Sequence, residues 1–301
     1  MNSDDVKNCM CCNSTNTVPV TDDSFFNFPV FKCKDCLYHF VSYQDDEKTM
    51  QQYYNETYWS VFRNIHNKKI KDQKVDDAYL IKKLPGPIRS IVELIGVRKS
   101  QAYSQFKYLQ PFLKGTTMFE IGPGEGFMLE LFEKKNFHVF GMEASKENLQ
   151  VINSKLNKGE IQIGFAEDIS KINKKFDVII LSHVLEHLVD CRKVLLKIKN
   201  LLKDGGIFFI EVPNCESEKE LEHSILTQPH LHHFTKQSIE ILLKDMGFDI
   251  IRIDTFSAHV VSFWQHLKYL LKWILKIDHY TPASQKQGNY LRIITTCDKL
   301  N

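Results

Sequence analysis

Three groups of residues in this chain have the types and spacing for chemistry. In Ser182-His183-Val184-Leu185-Glu186-His187 the two imidazoles and the carboxylate stand at i, i+3 and i+4. On a helix His183, Glu186 and His187 would share one face, which suits a divalent cation or a proton-transfer cluster. Pro229-His230-Leu231-His232-His233 can bring another imidazole to the same rim, and His187 or His232 is the candidate general base. The second group is Cys9, Cys12, Cys33 and Cys36, two Cys-x2-Cys knuckles whose four thiolates complete a tetrahedral zinc site. Such a closed site leaves no vacancy for substrate, so its expected role is folding; Cys11 is a further thiol competing for a ligand position. Cys191, Cys215 and Cys297 are scattered and read as small buried hydrophobes.

The third group is Gly122, Gly124 and Gly126, which interrupt the apolar run that starts at Met118. They remove side chains where backbone must approach a ligand, and Phe127 to Phe132 restarts with helical spacing. The arrangement requires a buried strand, a tight loop and a helix. Glu143 stands 21 positions (143 − 122) after Gly122, at the tip of the next expected strand, where an acid accepts hydrogen bonds from ribose hydroxyls. The glycine spacing does not match the pyrophosphate-binding pattern Gly-x-Gly-x-x-Gly. From residue 116 apolar runs alternate with amphipathic helices, the signature of a parallel sheet covered on both faces. Strands are expected at 117–121, 138–142, 161–165, 176–181, 206–212, 248–254 and 290–296. Helices are expected near 126–135, 145–156, 190–202 and 235–246, with Thr235 as N-cap of the last. The fold class is α/β, a Rossmann-like doubly wound seven-stranded sheet.

At Glu120-Ile121-Gly122-Pro123-Gly124-Glu125-Gly126 the chain resembles the class I S-adenosylmethionine-dependent methyltransferases, and the resemblance continues through residues 164–169, 176–187 and 201–207. It implies that Glu120, Gly122, Pro123, Gly124 and Gly126 face the methionine part of the cofactor and Glu143 the ribose. Ala166 with Glu167 or Asp168 would face the adenine, and Ser182 lies at the same edge. With the cysteine pairs and Tyr53-Tyr54-Asn55-Glu56-Thr57-Tyr58-Trp59, the layout is similar to a narrower group with a zinc ribbon ahead of the methyltransferase domain. Its members often modify nucleotide-linked sugars, surface glycans or secondary metabolites. Ubiquinone-type and small-RNA O-methyltransferases resemble 182–187 and use Glu-x-x-Glu-His there to hold a divalent ion; here His183 replaces the first glutamate.

The expected organisation is a zinc ribbon over 1–45, an aromatic and helical connector or substrate lid over 46–100, and the methyltransferase domain over 101–301. Phe25, Phe26, Phe28 and Phe31 are expected to supply the ribbon's strand, Asn64 to Asp77 a solvated surface, and Pro85-Gly86-Pro87 a break before a helix at 104–113. An amphipathic helix about 258–277, with Lys268, Lys272 and Lys276 in a stripe, suits packing on the sheet or a partner subunit in a homodimer, or peripheral membrane contact through 260–277. Its lysines bar it from spanning a bilayer. With 43% hydrophobic and 25% charged residues and a net charge of +2, the 301-residue chain is ordinary globular protein with no electrostatic case for nucleic acid. The polar, acidic start, Met1 to Asp5, lacks the apolar core of a leader, so a cytoplasmic location is expected. The expected activity is O-methylation of a sugar or other small hydroxylated acceptor; the rivals are a non-catalytic binding module and an RNA methyltransferase.

Overall fold

The computed structural model describes residues 8–43, 47–58, 97–256, 271 and 288–297. The expected features at 64–77 and 85–87 lie outside these residues, as does Trp59. So does the amphipathic helix at 258–277, apart from Leu271. Among the described residues no helix is long and apolar enough to cross a membrane.

In chain order the N-terminal part has strands β1 (Thr17–Thr21), β2 (Val30–Cys33) and β3 (His39–Val41), then helix α1 (Glu47–Tyr53). The aromatic run does not form the strand expected of it: Phe25, Phe26 and Phe28 precede β2, and only Phe31 lies in it. Asn27 takes φ +58 in a turn closed by Asn27 N–H donating to Ser24 O at 2.9 Å, which ends any extended run there. Phe25 and Phe26 instead pack edge-on against Tyr53 of α1.

The larger part begins with α2 (Val97–Leu109), β4 (Thr117–Ile121), α3 (Phe127–Glu133), β5 (His138–Glu143), α4 (Lys146–Lys155) and β6 (Glu160–Ile163). It continues with β7 (Phe176–Ser182), α5 (Cys191–Leu201), β8 (Leu202–Pro213), α6 (Glu218–Thr227), β9 (His232–His233), α7 (Lys236–Asp245), β10 (Asp249–Phe256) and β11 (Tyr290–Thr296). Seven strands form one sheet in the order β10-β11-β8-β7-β4-β5-β6. From β8 to β6 the pairings are parallel, whereas β11 runs antiparallel to both β8 and β10. Side chains alternate across the sheet. Met118, Val178, Ile180 and Phe209 meet α2 and α3 on one face; Phe119, Ile179, Leu181 and Phe208 meet α5 and α7 on the other. This is the expected doubly wound sheet.

The second sheet has the order β1-β2-β3-β9. Its fourth strand comes from the larger part: His39 pairs with His233 and Phe40 with His232, antiparallel. The N-terminal part is therefore stitched into the main fold at a point adjoining His230.

Candidate active site

The strand β4 stops at Ile121 because Gly122 turns the chain at φ +67, and a Cβ there would sit 2.6 Å from Val184 Cγ2. Gly124 takes φ +56 and a Cβ would meet nothing within 4 Å, so its backbone is bare toward an open cleft. Gly126, at φ +74, is the residue before α3, and a Cβ on it would press on Ile152 of α4 at 2.9 Å. Two of the three glycines thus permit packing, and Gly124 leaves room for a ligand.

Glu143 ends β5, 2% exposed, and reaches back across the loop. Its Oε2 accepts from the Gly124 N–H at 3.0 Å and its Oε1 from the Ser145 N–H at 2.8 Å. Burial raises its pKa against these donors. A carboxylate has about four lone-pair sites, so acceptor capacity remains for a ligand hydroxyl. Glu120, near the carboxyl end of the central strand β4 and not among the residues lining the cleft, is raised to about 8 by burial and then by the Glu143 charge, and its Oε2 has no hydrogen-bond partner. Ala166 and Glu167 sit in a 3-10 turn, Ala166–Lys171, that forms a further wall of the cleft. Asp168 is turned away: its carboxylate accepts from Phe165 N–H at 3.2 Å and pairs with Lys171.

His183 and His187 line the same cleft, with Met50 and Tyr54 from the N-terminal part. No helix runs through 183–187, so the shared helical face is not how these residues meet. His183 takes φ +54 directly after β7, and only Leu185–His187 form a 3-10 turn, because the chain must reverse sharply at the strand's end. The three side chains converge nonetheless. His183 Nδ1 lies 3.3 Å from Glu186 Oε1 and its Nε2 3.2 Å from Glu211 Oε1. Burial alone would lower His183, but hydrogen bonds to Glu186 and Glu211 outweigh it and raise it to about 10. Glu211 is held well below the carboxylate range although burial opposes this, by Arg292 and His183. Gln101 and Gln105 donate to Glu211 Oε1 at 2.7 and 2.8 Å.

His187 Nδ1 donates to the Pro229 carbonyl at 2.9 Å, which puts the unprotonated nitrogen at Nε2. Burial lowers its pKa, so the ring is neutral near pH 7. Behind His187, buried and not itself lining the cleft, is His230, whose ring centroid is 4.7 Å from that of His187. Glu186, His187 and His230 each bring one ligand atom to within 4.8 Å of the others. Glu186 is fully buried and its Oε2 has no hydrogen-bond partner. Two imidazole nitrogens, a carboxylate oxygen and outer contacts on both Nδ1 atoms fit a divalent transition-metal ion.

His232 is not in this group. It is 4% exposed, its Nε2 donates to the Leu188 carbonyl at 2.6 Å and its Nδ1 is hydrogen-bonded to Tyr38 Oη, so both nitrogens serve the packing of β9. In the segment 229–233 the sequence offers no signal preferring His230; tertiary placement decides it. Ser182 likewise faces Gln105, whose Nε2 donates to its Oγ at 2.9 Å.

On the N-terminal side Cys9, Cys12, Cys33 and Cys36 bring their sulfurs within 4.8 Å of one another, with 3.5 Å between Cys9 and Cys36 and 3.6 Å between Cys12 and Cys33. A zinc tetrathiolate with bonds of about 2.3 Å spaces its sulfurs by about 3.8 Å, so the cluster fits that ion. Cys11 is not one of the four, although its sulfur touches those of Cys9 and Cys36; burial pushes its thiol well above the ordinary range.

The pattern of a family described as a methyltransferase domain matches residues 98–253. A ubiquinone biosynthesis O-methyltransferase of Pelagibacter ubique is 32% identical over 105 residues, 34% of this chain and 44% of that protein. A probable S-adenosylmethionine-dependent methyltransferase of Mycolicibacterium smegmatis is 22% identical over 45% of this chain and 53% of its own length. The chain thus spans about half or less of the curated relatives it matches. Among solved structures, magnesium protoporphyrin IX methyltransferase from Synechocystis PCC 6803 with bound SAH superposes with a TM-score of 0.52 at 13% identity. The match covers 84% of this chain and all of that one, a likeness of fold.

Proposed function

We propose that this chain, which belongs to the methyltransferase-domain family over residues 98–253, moves a methyl group from S-adenosylmethionine to a hydroxyl oxygen of a small acceptor. The observation that carries the reading is that the bare Gly124 backbone, Glu143 and the histidine wall line one cleft. Methyl transfer is an in-line displacement that needs nucleophile, methyl and sulfur aligned, which a shared cleft can enforce. When bound, S-adenosylmethionine supplies an electrophilic methyl whose bond to sulfur breaks as the bond to oxygen forms.

The chain's own residues then have distinct tasks. Gly122 and Gly124 let the loop lie against the methionine part, Glu143 accepts from ribose hydroxyls, and Ala166 with Glu167 flanks the adenine. Glu120, whose buried Oε2 has no partner, is assigned to the methionine end with Gly122 and Gly124. Glu186, His187 and His230 would hold a divalent cation, which acidifies the acceptor hydroxyl. Without a cation, His187 Nε2 takes the hydroxyl proton directly. Cys9, Cys12, Cys33 and Cys36 hold a structural zinc.

A sugar, nucleotide-linked sugar or glycan is the favoured acceptor class, and the similarity to a ubiquinone biosynthesis O-methyltransferase supports oxygen as the atom modified. The test is incubation with S-adenosylmethionine and a panel of nucleotide-sugars, glycolipids, catechols and RNA, with products read by mass. A gain of one methyl on a hydroxylated small molecule is expected. Transfer only to RNA would replace the acceptor class, and no cofactor binding by calorimetry would leave a non-catalytic binding module. Repeating the assay after chelation separates the cation from the direct base.

A further inference from the structure

Ser224 lies on α6 and is 3% exposed. Its Oγ stands 2.8 Å from His230 Nδ1 and 2.8 Å from His233 Nδ1. A hydroxyl has one proton and two lone pairs, so it cannot donate to both rings; at least one imidazole must carry its proton on Nδ1. Ser224 also interacts with the Cys215 sulfur, which offers an acceptor for the serine's own proton. With that proton turned to sulfur, both lone pairs of Oγ receive N–H groups and every hydrogen-bonding site of the hydroxyl is used.

Ser224 decides the tautomer of His230. With the serine's proton on sulfur, a proton on His230 Nδ1 is received by Oγ, whereas the Nε2–H tautomer would set the lone pairs of Nδ1 and Oγ against each other at 2.8 Å. Glu186 and His187 lie beside the same ring, and Glu186 Oε2 has no hydrogen-bond partner. We propose that Ser224 is a positioning residue that fixes His230 as the Nδ1–H tautomer, so that the Nε2 lone pair of His230 joins His187 Nε2 and the Glu186 carboxylate around one divalent cation. His187 is fixed in the same sense by a different device, the Pro229 carbonyl. Outer-shell partners of this kind orient a ligand and raise its basicity. The inference rests on the reading of Glu186, His187 and His230 as a cation-holding group.

The test measures tautomer and affinity separately. In metal-free, 15N-labelled protein at fixed pH, His230 is expected to show a protonated Nδ1 and an unprotonated Nε2 by two-bond N–H correlation. Ser224→Ala should move the ring toward the Nε2–H form and weaken Mn2+ or Co2+ binding in calorimetry by about 10- to 100-fold. Ser224→Thr, which keeps the hydroxyl, should restore both readouts. An Nε2–H tautomer in the unmodified protein overturns the proposal, as does Ser224→Ala with tautomer and affinity unchanged. If Ser224→Ala does not fold, the tautomer of the unmodified protein and the threonine variant decide the matter. Should the unmodified protein bind neither Mn2+ nor Co2+, the cation reading fails, while the tautomer still reports on Ser224.

Discussion

The main-chain N–H of Leu231 donates to the carbonyl of Glu186 at 2.8 Å, while the Leu231 carbonyl accepts from the Val41 N–H at 2.9 Å. One residue thus links the turn carrying Glu186 and His187 to the N-terminal sheet. The hydrogen bond from Tyr38 Oη to His232 Nδ1 reinforces the link. Tyr38→Phe leaves that buried nitrogen without a partner, at a cost of about 1–3 kcal/mol. Urea unfolding should show the loss, with zinc content unchanged.

Glu143 touches the glycine loop and faces the cleft. Glu143→Gln keeps its shape but exchanges a charged acceptor for a neutral one, and charge-assisted hydrogen bonds are about twice as strong as neutral ones. Affinity for S-adenosylhomocysteine should fall about tenfold or more in calorimetry. An unchanged affinity would remove Glu143 from the cofactor site.

His187→Ala should lower kcat by about 10²- to 10⁴-fold, the usual range for a proton-transfer group, while cofactor affinity changes little. Because burial depresses this imidazole, the rise of kcat with pH should be centred below the ordinary histidine value of 6.5.

Cys33→Ser removes one sulfur of the four-cysteine cluster. Metal analysis should find close to one zinc per unmodified chain and far less in the variant. Equal contents would contradict the zinc site.

Stability should fall in mild acid. Burial lowers His39 to about 4, with Lys32 adding to the effect, and lowers His233 to about 3. Unfolded, both bind a proton near pH 6.5, so between that value and about 4 the unfolded chain holds more protons than the folded one and stability declines as pH falls. At pH 5 each contributes a loss of about 2 kcal/mol. Urea midpoints measured across pH 5 to 7 check this, and His39→Phe should flatten the slope.

The sheet and the glycine loop were legible because their signals are local. Strands 117–121 and 290–296 fall where the apolar runs place them, and the Gly122, Gly124, Gly126 frame forms a single loop. The N-cap at Thr235 was visible for the same reason, since its side chain accepts from Ser238 N–H three residues on. Helix α6 had a comparable signal in Ser217, whose side chain accepts from the Glu220 N–H, and it went unread because a short polar helix carries no apolar run. What the sequence does not display is His230 rather than His232 beside Glu186 and His187, or Ser224 behind it. Both depend on β9, a two-residue strand whose partners lie far away in the chain. The spacing of His183, Glu186 and His187 suits a helix and a turn equally, so the 3-10 turn at Leu185–His187 is not displayed either.

That two-residue strand also orders events on the ribosome. Tyr38 and His232 are 194 positions apart, so the N-terminal sheet keeps an open edge until the chain has grown past His233. At about 5–20 residues per second the interval is roughly 10–40 s. During it β3 offers an unpaired row of backbone groups to any passing strand. The nascent protein is accordingly most exposed to mispairing well before its catalytic half is complete.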